Sequence, residues 1–351
     1  MSLRPATLGV LPEGARLERI RSSSHYVNGR FENTVPVASP LNRGEQLSTM
    51  AKFMFGGERR VPDVQLPVES PLQTWAKPSS SGLRVTWLGH STCLLEIDGL
   101  RVLTDPVWGP RASPLSWAGP ARFHPVPVGI DALPPLDAVL VSHDHYDHLD
   151  FPTITALAKL RVPFFTSLGV GAHLEAWGVA PELITELDWW DTAVTRDGRL
   201  SFTAAPARHF SGRGMGGANQ SFWSSWVMSS GKHKVFFSGD TGITPEFEDI
   251  GAKLGPFDLV MLEVGAFDPS WSSIHLGPDN ALVAHQMLKG KLLMPVHWGT
   301  FNLGLHAWDA PAETLVQRAP ELGVQLMMPR LGQPVEPSHT EGPDLWWRGL
   351  R

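Results

Sequence analysis

The sequence predicts an α+β protein in which two mixed β-sheets pack together, flanked by helices. Short apolar, β-rich runs dominate from residue 83 and later alternate with helical segments, an order that suits two covered sheets better than one doubly wound sheet. Four of these runs deliver a histidine or aspartate at or just past their ends. One of the four ends in the cluster "VSHDHYDHLD" at 141–150, which sets His143, His145, Asp147 and His148 within six positions.

Residues 1–80 are expected to be an N-terminal extension packed on a main domain of residues 81–351. The extension is irregular, with scattered Pro, Ser, Arg and Gly. Within it, "EQLSTMAKFMF" (45–55) sets Leu47, Met50, Ala51, Met54 and Phe55 at helical spacing, a stripe that suits packing on the main domain or, less directly, contact with a membrane. "KPSSSG" (77–82) reads as a linker.

"LRVTWLG" and "CLLEIDGLRVLTDP" then read as strands, the latter a hairpin turning at Asp98-Gly99. "LDAVLVS", "VPFFTSL", "SFTAAPA", "SFWSSWVMSS" and "KVFFSGD" continue the series, with a helix over "GAHLEAWGV". A helix near 245–254 follows, then the strand "FDLVMLEV", a helix over "PDNALVAHQML" and the strand "KLLMPVH". "PAETLVQRAPELG" reads as a last helix and "VQLMMPR" as a last strand.

The 351 residues are 42% hydrophobic and 18% charged, an ordinary globular balance with material for a large core. A net charge of −6 argues against a nucleic-acid partner. With Cys93 as the single cysteine, no internal disulfide forms and a metal site must use histidines and carboxylates. The fourteen tryptophans suit a core and, in part, the lining of a wide apolar groove. The N-terminus lacks the apolar stretch of a signal peptide, and "FDLVMLEVGAF" (257–267) is too short and acidic to span a bilayer, so a cytoplasmic protein is expected.

"DAVLVS" runs into His143, "SFTAAPAR" into His209, "KVFFSG" into Asp240 and "KLLMPV" into His297. Crowded imidazoles repel one another when protonated and gain little from burial when neutral, so a shared cation is the simplest reason for the arrangement. His143, His145, Asp147, His148, His209, Asp240 and His297 make seven donors, more than the four or so that one zinc takes. They suit two metals about 3.5–4 Å apart sharing an oxygen. His143 and His145, two apart, point the same way on extended backbone and can chelate one ion. Asp147 and His148 face elsewhere, and Asp240, a carboxylate, is the natural bridge.

The motif H-x-H-x-D-H followed by His, Asp and His resembles the metallo-β-lactamase fold superfamily. "TWLGHST", "LTDPVWGPRASP", "PPLDAVLVSHDHYDHLD", "ELDWW", "FFSGDTG", "FEDIGAKLGPFDL" and "HWGTF", with "GRFEN" at 29–33, resemble the N-acyl-phosphatidylethanolamine-hydrolysing phospholipase D family and its bacterial relatives over residues 29 to about 335. The resemblance implies an αβ/βα sandwich with a dimetal site at one edge. It implies that His143, His145 and His209 hold one Zn²⁺, that Asp147, His148 and His297 hold the other, and that Asp240 lies between, with Mn²⁺ or Fe²⁺ as alternatives. It places His275 near the substrate phosphate. Asp105 is a candidate for orienting a ligand imidazole or is a turn residue; His90 sits near the site or bonds structurally; Tyr146 touches substrate or packs. The Gly-rich 212–217 segment departs from the family and is either a turn or a loop shaping the entrance.

The expected function is therefore a binuclear zinc hydrolase, a phosphodiesterase in which hydroxide drawn from water attacks phosphorus, with Asp147, Asp240 and His275 as catalytic candidates. The substrate is a phospholipid or another small phosphodiester. Peripheral membrane contact and a homodimer are compatible with it. Two dications less Asp147, Asp240 and one hydroxide leave about one positive charge, which favours a phosphodiester but equally a lactone oxyanion. A lactonase of the L-ascorbate-6-phosphate type is the rival enzyme, and a catalytically idle metal-binding protein is the rival of another class.

Overall fold

The computed structural model describes residues 5–37, 49, 51–52, 56–214, 217–268 and 271–350. Of the stripe expected over 45–55, Leu47, Met50, Met54 and Phe55 lie outside the described residues, and Ala51 is exposed.

Helix α1 (Gly14–Arg21), a hairpin of β1 (Tyr26–Val27) and β2 (Arg30–Phe31), and the short helix α2 (Leu72–Trp75) precede the sheets. The first sheet holds β3 (Leu83–Gly89), β4 (Thr92–Ile97), β5 (Leu100–Thr104), β6 (Ala138–Val141), β7 (Phe164–Ser167) and β8 (Ile184–Leu187), with α3 (Phe151–Ala158) and α4 (Gly171–Ala176) in its crossovers. The second holds β9 (Thr192–Val194), β10 (Ser201–Ala205), β11 (Ser225–Ser229), β12 (Lys234–Phe237), β13 (Leu259–Glu263) and β14 (Leu293–Val296). Its outer helices are α5 (Glu246–Lys253), α6 (Gly277–Met287) and α7 (Ala310–Arg318), and β15 (Pro334–Val335) returns to the first sheet. The strand orders are β15-β3-β4-β5-β6-β7-β8 and β14-β13-β12-β11-β10-β9, each mixed.

The central strands of the first sheet place apolar residues on both faces because both are covered, while β3 and β4 also bury the Arg84–Glu96 ion pair. Leu95, Val102, Leu140 and Phe165 face the second sheet and join its Phe202, Trp226 and Phe236 in one core. Their neighbours Leu94, Leu103, Val139 and Phe164 face the other way, into a second core with Ile154, Leu157 and Leu174 of α3 and α4. The period-2 alternation therefore divides each strand between two cores. Across the sheets, Phe165 and Phe202 stack with centroids 4.2 Å apart. The Asp98-Gly99 hairpin turn is present, both residues having positive φ (48° and 84°) as a primed turn requires.

One expectation is corrected and one helix is added. "VQLMMPR" is no strand: Leu326 forms a single bridge with Leu293, and Pro329 then ends any pairing because it has no N–H to donate. Helix α3 lies in a stretch to which no element was assigned, and its Thr153, Ile154 and Thr155 are β-branched residues that disfavour helix. The Asp150 cap, which accepts from Thr153 N at 3.2 Å, and the buried Ile154 and Leu157 outweigh that preference.

The topology gathers one edge. Within the first sheet β3, β5 and β6 run one way, and within the second β10, β12, β13 and β14 do, and the donors beyond β6, β10, β12 and β14 converge at one edge. Loops beyond the carboxyl ends of such strands are where ligands bind in open α/β sheets.

Candidate metal centre

Each expected donor leaves that edge. His143, His145, His209 and Asp240 bring donor atoms within 4.8 Å of one another, and His90, Asp147, His148 and His297 do the same. The two groups meet at Asp240. Its Oδ2 lies 3.2 Å from His297 Nε2, 3.8 Å from His209 Nε2 and 3.9 Å from His143 Nε2. Its Oδ1 lies 3.1 Å from His148 Nε2. In the first group His145 offers Nδ1, 2.9 Å from His143 Nε2 and 3.2 Å from His209 Nε2. In the second, Asp147 Oδ2 is 3.3 Å from His297 Nε2 and 3.6 Å from His148 Nε2.

Three of the ring nitrogens facing away from the centre, those of His143, His148 and His209, are tied down. His148 Nδ1 donates to Asp105 Oδ2 at 2.7 Å, and His209 Nδ1 donates to the Ile274 carbonyl at 2.9 Å. His143 Nδ1 pairs with Ser142 Oγ at 2.9 Å, while Ser142 N and Oγ donate to Asp105 at 2.7 and 2.6 Å. Asp105 is thus a buried hub that orients two imidazoles, the arrangement that fixes tautomers around metals. Its φ of 33°, with 54° at His90 and 65° at His297, marks strained backbone concentrated at one edge.

The chemistry of the cluster demands positive charge. Burial alone would raise the Asp147 and Asp240 pKa values, but the surrounding imidazoles hold both well below the usual range. Burial pushes His143 and His209 down, so they are neutral. Against the same burial, the Asp240 and Asp147 carboxylates hold His148 well above its ordinary value and push His297 up to about 10. Those protons compensate charge that a bound cation would otherwise compensate, and cations displace such protons from ligands. His148 Nε2 and Asp240 Oδ1 are buried and, though 3.1 Å apart as an ion pair, lack the alignment of a hydrogen bond with any group. Buried polar atoms left without a well-aligned hydrogen bond are rare in native proteins, and a bound cation would satisfy both. The residues therefore fit divalent cations.

The other candidates are placed as follows. His90 Nε2 lies 2.9 Å from Asp147 Oδ2 and its ring 3.9 Å from His297, inside the second group. His275 approaches both groups, its ring 5.3 Å from His209 and 5.4 Å from His297. Tyr146 turns away, its ring 4.1 Å beneath the Arg213 guanidinium. In the Gly-rich 212–217 segment, Arg213 points inward to donate to the carbonyls of Asp144 and Leu149 at 2.7 and 2.6 Å, while residues 215–216 lie outside the described residues.

Sequence reasoning missed Glu263. It is fully buried, and its carboxylate lies 3.0 and 3.2 Å from His275 Nδ1. It also accepts from the backbone N–H groups of Thr241 and Leu276 at 3.0 and 3.1 Å. The available signal was an acidic residue closing the apolar strand "LVMLE". Asp144 was missed as well: it accepts from Gly212 N and Ser221 Oγ, both at 2.8 Å, bracing the histidine loop from behind.

Residues 100–298 match the beta-lactamase superfamily domain. An uncharacterised protein of Mycobacterium tuberculosis is 43% identical over 98% of this chain and 92% of its own length. The N-acyl-phosphatidylethanolamine-hydrolyzing phospholipase D 1 of Caenorhabditis elegans is 37% identical over 70% of this chain and 72% of its own. Among solved structures, the metallo hydrolase Igni18 of Ignicoccus hospitalis shares the fold with a TM-score of 0.56 at 20% identity, covering 72% of this chain and 97% of that one. Two mixed sheets flanked by helices, the histidine and aspartate clusters at their shared edge and these similarities agree: the chain belongs to the metallo-β-lactamase superfamily of metal-dependent hydrolases.

Proposed function

We propose that this chain is a binuclear zinc hydrolase that cleaves a phosphodiester, with an N-acyl-phosphatidylethanolamine-like phospholipid as its substrate class. The observation that carries the reading is the shared carboxylate, with Asp240 3.1–3.9 Å from imidazole nitrogens of both donor groups. His143, His145 and His209 would hold one cation and Asp147, His148 and His297 the other, with Asp240 between them. Imidazole and carboxylate donors without thiolate suit zinc, and they also suit iron. When bound, two such cations polarise a phosphoryl oxygen and lower the pKa of water so that a nucleophile exists near neutral pH.

The protein's own groups supply the rest. Asp147 and Asp240, whose pKa values the surrounding imidazoles hold down, would be the carboxylates to accept a proton there. His275, despite its burial, is held above its ordinary pKa by Glu263, which anchors Nδ1 and leaves Nε2–H to donate to charge developing on the substrate. Glu263→Gln should lower kcat by about tenfold to a hundredfold, the usual cost of losing such an orienting partner. Steady-state kinetics with metal analysis checks this, and an unchanged kcat would remove Glu263 from the chemistry.

The phospholipid assignment draws on the similarity to the C. elegans enzyme and on a cleft near the site. The cleft, of about 790 Å³, is lined by Val61, Pro62, Val64 and Phe123. Arg122, also in its wall, stacks 4.8 Å over the Phe301 ring, which in turn packs 5.2 Å from His90. No helix among the described residues is long and apolar enough to cross a membrane. We place the chain in the cytoplasm, meeting its substrate at a membrane surface.

Elemental analysis of protein purified without chelator should give two metals per chain; one or none after zinc addition would sink the binuclear reading. Bis-(p-nitrophenyl) phosphate, N-acylated and ordinary phosphatidylethanolamine, and a lactone panel then test the chemistry. Phosphodiester cleavage releasing a phosphomonoester is expected. Efficient lactone turnover with inert phosphodiesters would hand the site to the lactonase reading, and two bound metals with no turnover to the idle one.

A further inference from the structure

We propose that Asn33, in the N-terminal "GRFEN" segment, is a positioning residue that clasps the main chain of His209 and so sets the affinity of the His143, His145 and His209 group for its cation. The proposal rests on the reading of those histidines as metal ligands.

His209 stands four residues past the end of β10 and pairs with no strand. Its ring must nevertheless reach His145 Nδ1 and Asp240 together. One anchor is on the ring, through Nδ1 and Ile274. The other is on the backbone and comes from 176 residues away: Asn33 Oδ1 accepts from His209 N at 3.0 Å, and Asn33 Nδ2 donates to His209 O at 2.8 Å. A primary amide carries donor and acceptor side by side, so it meets the N–H and C=O of one residue as a neighbouring strand would. Aspartate lacks the donor and alanine lacks both groups.

The amide's orientation follows from its surroundings. Asn33 Oδ1 also accepts from Trp223 Nε1 at 3.0 Å. Flipping the amide would set its NH₂ against two N–H donors at once, so only one orientation satisfies both. The segment that carries Asn33 is itself held. Phe31 N donates to Asn219 O at 2.9 Å, Asn219 Nδ2 returns a bond to Phe31 O at 3.1 Å, and the Phe31 ring stacks 4.4 Å from Phe222. The clasp therefore sits on packed structure, which positioning at a site requires.

The test compares the unaltered chain with Asn33→Asp, Asn33→Ala and Tyr26→Phe. The last removes another contact of the same segment, the 3.1 Å bond from Tyr26 Oη to Gln220 Oε1, without touching His209. Zn²⁺ affinities are measured by chelator competition, and melting of the metal-free proteins is followed in parallel. In both Asn33 variants one of two Zn²⁺ ions should bind about tenfold to a hundredfold more weakly while the other keeps its affinity. Tyr26→Phe should keep both. A purely structural strap would lower the melting temperature and leave both affinities alike, and that result overturns the proposal. Alanine adds no buried charge, so it decides the matter if the aspartate variant fails to fold. Absence of two tight ions in the unaltered chain overturns the metal reading itself, and this proposal with it.

Discussion

Asp240→Asn should lower turnover by about 10³-fold or more while leaving the fold intact. The expected loss exceeds the roughly 10²–10³-fold cost of deleting one oxyanion donor, because the substitution weakens both donor groups together. Asp240 is buried, and its oxygens face imidazole nitrogens of His143, His148, His209 and His297. An amide keeps the shape but removes the charge, and its NH₂ would face nitrogens whose lone pairs are needed for a metal. The fold should survive because Asp240 lies beyond β12 and outside the apolar core. Kinetics on a phosphodiester, metal analysis and circular dichroism check the three parts. Activity within about tenfold of the parent, with two metals bound, would remove Asp240 from the mechanism.

The donors that were legible in the sequence share a feature: each follows an apolar run or belongs to the 143–148 cluster, so local pattern alone exposes it. The fold class was legible for a related reason. The run "LRVTWLG" matches the observed Leu83–Gly89, and "FDLVMLEV" contains the observed Leu259–Glu263, because strands covered on both faces are rich in apolar residues. The last strand was misread because "VQLMMPR" has the same apolar texture, and only its position beside the edge strand β14 decides how much of it pairs.

Residues that support the donors were harder to find because they act across distances the chain does not display. Asp105, 43 residues before His148, was a candidate only as one of two readings, and Glu263, which reaches His275 from the end of β13, was missed. Glu263 is disguised by the strand it ends. Its acidity within "FDLVMLEV" speaks against a membrane span, yet a carboxylate buried at a strand terminus needs a cationic or hydrogen-bonding partner and is itself a pointer to a site. Asn33 and Arg213 gave no such signal, since an isolated Asn or Arg in a loop is ordinarily solvated.

Gly265→Ala should be among the most damaging of the small substitutions near the site. Gly265 follows β13, where Val264 N donates to Val296 O at 3.1 Å and brings the two strand ends together. A Cβ at Gly265 would stand 2.0 Å from the His297 carbonyl oxygen and 3.4 Å from Trp298 Cα. Both neighbours are backbone, so no side chain can swing aside to relieve the overlap. The segment carrying His297 must move, or β13 must, and overpacking of this kind costs about 3 kcal/mol. A fall in Tm of roughly 5 °C is expected on that basis. Displacing His297 also strains the group it shares with Asp147 and His148, so that group should lose its cation first, whereas the Asn33 variants should lose the other. Gly57→Ala is the control, since a Cβ there meets nothing within 4 Å. Calorimetry of the metal-free proteins and Zn²⁺ titration of each separate the two effects. A Gly265→Ala protein that melts and binds Zn²⁺ like the parent would mean that the ends of β13 and β14 part freely, and that the close approach of their backbones does not set the position of His297.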